Sequence, residues 1–199
     1  MNAVVGQLYH GIRLICRCGG GAYGEVYYGE DISGRRLAVK IVAKEKLGGD
    51  WARELKGVVN YRKITENASE LLQIFHVEED EDSFFYTMEA ADSASVENYT
   101  PDTLAARLKK GPLPKEEILH VLKEIFRGIK TIHSAGFAHR DIKPDNILFD
   151  SEGNPYLTDL GVAKLSDDQT LTRLTMSNVV VGTPAYMAPE QMTDSHKVD

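Results

Sequence analysis

His139-Arg140-Asp141-Ile142-Lys143-Pro144-Asp145-Asn146 sets an acid, a cation and an amide within six positions, and the apolar Ile147-Leu148-Phe149 comes directly after. That apolar run reads as a short buried strand, so the polar residues before it form a fixed loop at a strand entrance. Asp141 could accept a proton from an attacking hydroxyl. Lys143 could neutralise a transferring phosphoryl group, and Asn146 could hold a divalent cation by its side-chain oxygen. A second cation-binding candidate, Asp159-Leu160-Gly161, lies thirteen positions past Asn146, behind another short strand from Tyr156 to Thr158.

A lone His-Arg-Asp is most often a surface salt-bridge cluster, and only its order and spacing relative to Asn146 and Asp159 give it weight. The stretch resembles the catalytic loop of eukaryotic-type Ser/Thr protein kinases, with bacterial members nearest in pattern. Asp159-Leu160-Gly161 resembles their metal-binding triplet, with Leu in place of the usual Phe.

The elements that would position these groups begin with composition. A chain of 199 residues, 42% hydrophobic, can bury a core as one or two small domains. Charged residues make up 27% and the mean hydropathy is -0.30, which fits a soluble protein. No apolar run approaches bilayer length, and the N-terminus lacks a basic-then-apolar signal pattern. A net charge of -7 and a pI near 5.4 argue against nonspecific nucleic-acid binding. Cys16 and Cys18 alternate on one predicted strand, poorly placed for a disulfide and without metal-ligating partners. They read as small strand residues in a reducing, cytoplasmic setting.

In chain order, Leu8 to Cys18 reads as a strand, Gly19 to Gly24 as a hairpin turn, and Glu25 to Gly29 as the returning strand. Gly19, Gly21 and Gly24, followed by Val26, match the kinase phosphate-covering pattern, in which backbone N–H groups approach phosphate oxygens closely. A dinucleotide-binding glycine loop would instead open a helix. After a turn at Asp31-Ile32-Ser33-Gly34, Arg36 to Val42 is a third strand. Its Ala38 and Lys40 fit the family's strand that meets the α- and β-phosphates. Asp50 is placed to cap a helix from Trp51 to about Tyr61, with Trp51, Leu55, Val58 and Tyr61 facing inward. Glu54 on that helix resembles the Glu that pairs with the strand Lys; Glu45 and Glu66 compete for the role. Gly57 at mid-helix costs roughly 1 kcal/mol against Ala.

Leu71 to Val77 and Ser83 to Met88 read as strands, joined by Glu78-Glu79-Asp80-Glu81-Asp82, a solvated acidic turn. Ser93 to Asp102 is polar connection. The resemblance makes the segment after Met88 the hinge between lobes. Met88 would guard the adenine pocket, the backbone of Glu89 and Ala91 would bond the adenine edge, and Val26, Ala38 and Leu148 would sandwich the ring. Thr103 to Lys109 is a short helix. Lys115 to Ser134 is the strongest helix, with apolar residues at 118, 119, 122, 125, 126, 129 and 132 that read as a core stripe.

Gly182-Thr183-Pro184-Ala185-Tyr186-Met187-Ala188-Pro189-Glu190 resembles the family's peptide-positioning segment. Lys143 and Thr183, the latter bonded to Asp141 and Lys143, are what the Ser/Thr-specific branch carries. Of the hydroxyls at Thr170, Thr172, Thr175 and Ser177, Thr175 and Ser177 are ranked first as regulatory phosphorylation sites. A phosphate there would pair with Arg140 and Lys164.

The resemblance runs from about Leu8 to the last residue. It implies an α+β, bilobal protein-kinase-like fold: an N-lobe antiparallel sheet plus one helix over residues 1–91, and an incomplete, mainly helical C-lobe over 92–199. His196-Lys197-Val198-Asp199 resembles the approach to the central helix of the large lobe, so a fragment of a longer chain is expected. Apolar faces of the Lys115 to Ser134 helix would then be exposed and favour self-association or partner binding. ATP and Mg²⁺ are the implied cofactors, with the metal on Asn146 and Asp159, and proteins are the implied substrates. The function so implied is transfer of the ATP γ-phosphoryl group to Ser or Thr. A nucleotide-binding pseudokinase or scaffold is the first alternative, although Lys40, Asp141, Asn146 and Asp159 are all present. A small-molecule phosphotransferase is the second, and would not carry the segment from Gly182 to Glu190.

Overall fold

The computed structural model describes residues 4–20, 24–93, 99–158 and 184–189. Strands β1 (Leu8–Tyr9), β2 (Ile12–Gly20), β3 (Gly24–Glu30), β4 (Arg36–Ala43), β5 (Ile74–Glu79) and β6 (Ser83–Met88) form one six-stranded sheet in the order β1-β2-β3-β4-β6-β5. Every neighbouring pair is antiparallel. Helices α1 (Lys44–Leu47) and α2 (Trp51–Thr65) connect β4 to β5. Past the sheet come α3 (Leu104–Lys110), α4 (Lys115–Ser134) and a two-stranded sheet of β7 (Ile147–Phe149) and β8 (Pro155–Leu157). The architecture is α+β, a curled antiparallel sheet followed by helices.

Apolar content decides how deeply each strand sits. All six residues of β6 are buried, which suits a strand flanked on both sides by β4 and β5. One core cluster joins Ala38, Val42, Phe84, Tyr86 and Met88 of the sheet to Val58 and Tyr61 of α2, and continues into Ile125 and Ile132 of α4 and Phe149 and Leu157 below. A second cluster, Tyr9, Ile12, Leu14, Tyr27, Leu37, Val39 and Phe85, fills the other face. The sheet curls around that second cluster. Its outermost strands are β1 and β5, yet the Tyr9 ring on β1 lies edge-on to Phe85 on β6 at 5.1 Å, and Tyr9 Oη donates to Asp80 at 3.4 Å.

Several expected boundaries shift. The single strand over Leu8 to Cys18 is broken at His10 and Gly11, whose φ values of 45° and 80° turn the chain back into β2. β5 starts at Ile74 rather than Leu71, because Leu71 is drawn into a parallel bridge with Leu157 of β8. α2 runs to Thr65, past the expected end near Tyr61. Asp50 makes no side-chain capping bond to it. Burial of Val58, Tyr61 and Thr65 against the sheet therefore carries that helix in place of a cap. Thr103 does cap α3, its hydroxyl oxygen accepting from Ala106 N at 3.0 Å.

The largest correction concerns α4. The helix has the expected limits, but its buried face is Val121, Ile125, Gly128 and Ile132. Ile118 (42%), Leu119 (56%), Leu122 (48%) and Phe126 (67%) are exposed. Gly128 explains the choice of face. A Cβ there would sit 3.1 Å from Leu71 Cδ2 and 3.2 Å from the Glu70 carbonyl oxygen, so glycine lets the helix approach this segment closely. At 100° per residue the exposed apolar stripe lies about 100° around the helix from the packed one. Among the described residues, no helix is long and apolar enough to cross a membrane.

Candidate active site

The loop before β7 is held by bonds between near neighbours. His139 is 2% exposed; one ring nitrogen lies 3.0 Å from the Thr158 carbonyl and the other accepts from Asp141 N at 3.3 Å. A nitrogen that accepts carries no proton, so the ring is the neutral form with its hydrogen on Nε2, donated to Thr158. Thr158 N in turn donates to the Asn146 carbonyl at 2.9 Å. The backbone of Thr158, the residue before Asp159, is thus gripped from both sides by the loop. Between His139 and Asp141, Arg140 adopts φ 62°, rare for a residue with a side chain. Burial lowers the pKa of its guanidinium.

Asp141 is the centre of the loop. Its Oδ2 accepts from Lys143 Nζ at 2.8 Å and from Asn146 Nδ2 at 2.9 Å. Asn146 Nδ2 also donates to the Asp141 carbonyl at 2.7 Å. Both amide hydrogens of Asn146 therefore face Asp141, which leaves its side-chain oxygen, a pure acceptor, directed elsewhere and suited to a hard cation. Asp141 Oδ1 accepts no hydrogen bond from any described residue and is the oxygen open to a substrate hydroxyl.

Sheet register gathers the other groups. Val26 pairs with Lys40, Tyr28 with Ala38, Ala38 with Met88, and Lys40 with Tyr86. Directly opposed residues share a face, as do residues two apart on a strand. Val26, Ala38, Lys40 and Met88 thus lie on one face, and Val26 and Leu148 of β7 pack onto the cluster that holds Ala38 and Met88. Lys40 Nζ lies 5.9 Å from the Tyr86 ring centre. The same face meets α2, where burial pushes the Glu54 carboxyl up to about 7; the charge of Lys40 pulls it down and that of Asp50 adds to the rise.

At the segment after β6, Glu89 N donates to the Gln73 carbonyl at 3.1 Å, and the Ala91 carbonyl accepts from Tyr99 Oη at 2.9 Å. Among the described residues neither the Glu89 carbonyl nor the Ala91 N–H has a hydrogen-bond partner, an acceptor and a donor matched to the amino group and ring nitrogen of adenine. Asp92 N donates to the Phe149 carbonyl at 2.9 Å and Phe149 N to the Asp102 carbonyl at 3.0 Å, which ties this segment to β7 and sets the two halves of the cleft in register.

Gly19 and Gly24 end the strands of the glycine hairpin, with Gly19 opposite Val26 and Gly24 opposite Val42. Gly24 is required by the sheet itself, since a Cβ there would lie 2.5 Å from the Ile41 carbonyl oxygen. Gly19 has no such constraint; its Cβ would meet Val26 at an ordinary 3.6 Å. Gly21, Asp159, Thr175, Ser177 and Thr183 lie outside the described residues, as do Thr170, Thr172 and Lys164.

Two residues at the site gave no signal in the sequence. Tyr99, within a stretch that reads as polar connection, is buried and stacks on Tyr28 at 3.9 Å with the rings 8° from parallel. Its hydroxyl ties it to the segment after β6 at the Ala91 carbonyl. Cys18, read as a bland strand residue, donates its thiol to the Val26 carbonyl at 3.5 Å, and burial pushes the thiol up to about 12. Polar neighbours in the chain hid Tyr99; only its aromatic side chain could have flagged it.

Comparison with known proteins agrees with this geometry. The family model described as "Protein kinase domain" matches residues 13–199. The chain is 35% identical over 194 residues to the serine/threonine-protein kinase AfsK of Streptomyces griseus, covering 93% of this chain and 22% of that protein. It is 32% identical over 189 residues to the serine/threonine-protein kinase PrkC of Bacillus subtilis, covering 92% of this chain and 26% of the relative. A plant relative, the CBL-interacting serine/threonine-protein kinase 18 of Arabidopsis thaliana, is 29% identical over 188 residues, 34% of its length. The chain thus spans between a fifth and a third of these relatives' lengths. With the site geometry and the family match in agreement, the chain belongs to the protein kinase family.

Proposed function

We propose that the protein transfers the γ-phosphoryl group of ATP to Ser or Thr hydroxyls of protein substrates. The observation that carries this reading is the Asp141 carboxylate, fixed through Oδ2 by Lys143 and Asn146 with Oδ1 left open. Asp141 orients the hydroxyl through Oδ1 and takes its proton, while the Lys143 ammonium, 2.8 Å from Oδ2, steadies negative charge developing beside it. Lys143 and Thr183 favour the Ser/Thr branch, as does the likeness to two bacterial serine/threonine-protein kinases.

ATP with Mg²⁺ supplies the phosphoryl group and neutralises its charge when bound. Asn146 fits the metal through its turned-out side-chain oxygen, and Asp159, next to the clamped Thr158, is the second ligand in this reading. Lys40, held by Glu54, and the glycine hairpin around Gly19, Gly21 and Gly24 take the phosphates. Val26, Ala38, Met88 and Leu148 enclose the base, whose edge meets the backbone of Glu89 and Ala91. The division into lobes falls at the hinge, 1–91 and 92–199. Thr175 and Ser177 are the proposed regulatory phosphorylation sites, with Arg140 and Lys164 as cationic partners. The exposed apolar stripe on α4 is the proposed surface for self-association, and the protein acts in the cytoplasm.

The test is labelling of a Ser/Thr-containing polypeptide by the full-length protein with radiolabelled ATP, beside the Asp141→Asn variant. Transfer should fall by about 10³-fold in the variant with folding intact. Wild-type turnover in the variant would overturn the assignment.

A further inference from the structure

The acidic stretch from Glu78 to Asp82 plays no part in the chemistry above, yet it meets the other edge of the sheet. We propose that His10, Glu78 and Asp80 form a zinc-class divalent-cation site that closes the seam between β1 and β5. His10 Nδ1 lies 3.1 Å from Glu78 Oε1, and its Nε2 lies 3.0 Å from Asp80 Oδ2. His76 Nε2 lies 3.0 Å from the other Glu78 oxygen. One ligand atom from each of His10, Glu78 and Asp80 falls within 4.8 Å of the others.

These spacings suit a metal. Ligands about 2.0–2.2 Å from a tetrahedral zinc stand roughly 3.3 Å from one another. One imidazole gives an ion only one of its two nitrogens, so one nitrogen–oxygen pair already stands near that separation, and the other carboxylate, within 4.8 Å, must close in by about 1.5 Å. Imidazole and carboxylate donors suit zinc, whereas an all-oxygen set would suit calcium or magnesium. The His10 ring is also oriented in advance: it lies 4.6 Å from Phe85 and 4.7 Å from Tyr9, on a backbone turned by φ 45°.

Charge and topology point the same way. Glu78 to Asp82 are five consecutive carboxylates, answered here by Lys44 on Glu79 at 2.7 Å and by His10. The edges that meet belong to strands at opposite ends of the sheet order, with no ladder between them. Among the described residues side chains alone hold this seam, and ligands separated by 68 and 70 positions would be locked together by one ion. Without a cation, both His10 nitrogens can donate only if the ring is protonated. The rival arrangement is therefore a plain imidazolium salt bridge.

Titration of the chelator-treated full chain with Zn²⁺ separates the two. Calorimetry should show one saturable Zn²⁺ at the seam, and a hundredfold excess over Kd should raise Tm by roughly 5 °C or more, reversed by EDTA. His10→Gln should weaken binding by roughly tenfold or more with nucleotide binding unchanged. Glu78→Gln, on a more exposed side chain, should weaken it as well and serves if His10→Gln does not fold. Absence of saturable Zn²⁺ binding, or equal affinity in wild type, His10→Gln and Glu78→Gln, would overturn the site and leave the salt bridge.

Discussion

The loop around Asp141 and the Glu54 carboxyl on α2 hold charge by opposite means. In the loop, the hydrogen bonds that hold Asp141 are local. His139, Asp141, Lys143, Asn146 and Thr158 lie within twenty positions of one another, and hydrogen bonds of 2.7 to 3.3 Å fix each group. Lys40 and Glu54 come from a strand and a helix, and burial holds Glu54 at about 7, so near neutral pH it is only partly ionised. A network of short bonds to backbone groups sets one arrangement, while a buried carboxyl half-protonated near pH 7 responds to pH and to the placement of its helix. The first is preorganised; the second is adjustable.

The strongest way to break that contrast is to remove the strut of the loop. His139→Leu keeps the bulk but leaves the Asp141 N–H and the Thr158 carbonyl without their bonds. It should destabilise the protein by roughly 2–5 kcal/mol in urea unfolding. A loss under about 0.5 kcal/mol would mean that the ring is merely a filler.

The adjustable side is tested by Glu54→Gln. The folded pKa, about 7, stands above the ordinary 4.5, so the proton-bound carboxyl contributes stability that is full below 4.5 and lost as pH rises through 7. The variant should match wild type near pH 4.5 and exceed it in stability by up to roughly 3 kcal/mol above pH 7. Phosphoryl transfer should move the other way, with wild type gaining as Glu54 ionises. Parallel stability curves would show that Glu54 is not buried as described.

A smaller effect separates the two faces of α4. Phe126→Ser should change stability by no more than about 0.5 kcal/mol, because the ring is 67% exposed. Ile132→Ala, at 0% exposure, should cost about 2–4 kcal/mol. Equal costs would restore the stripe expected from sequence.

Element limits are legible to the residue where the hydrophobic pattern is strong: Ser83–Met88 and Lys115–Ser134 have the limits that pattern predicts. The pattern fails where a glycine or a distant partner decides. α4 rotates because Gly128 admits Leu71 and Glu70, and a search for large apolar residues passes over glycine. His10 and Gly11 break a run that looks like one strand, through positive φ values that alternation does not register. At the site, Lys40, Asp141 and Asn146 could be picked out by residue type and spacing. Tyr99 could not, because its partners Tyr28 and Ala91 are brought to it only by the folded hinge.

The central claim is convergence of Lys40, Asp141, Asn146 and Asp159 on one metal-bound triphosphate. A crystal structure of the full-length protein with Mg²⁺ and a non-hydrolysable ATP analogue tests it most directly. The expected result is a Mg²⁺ ion on the Asn146 side-chain oxygen and the Asp159 carboxylate, with Lys40 Nζ on the α- and β-phosphates and Asp141 Oδ1 facing the γ-phosphate. A nucleotide bound elsewhere, or in the cleft with no metal on the Asn146 side-chain oxygen, would contradict it.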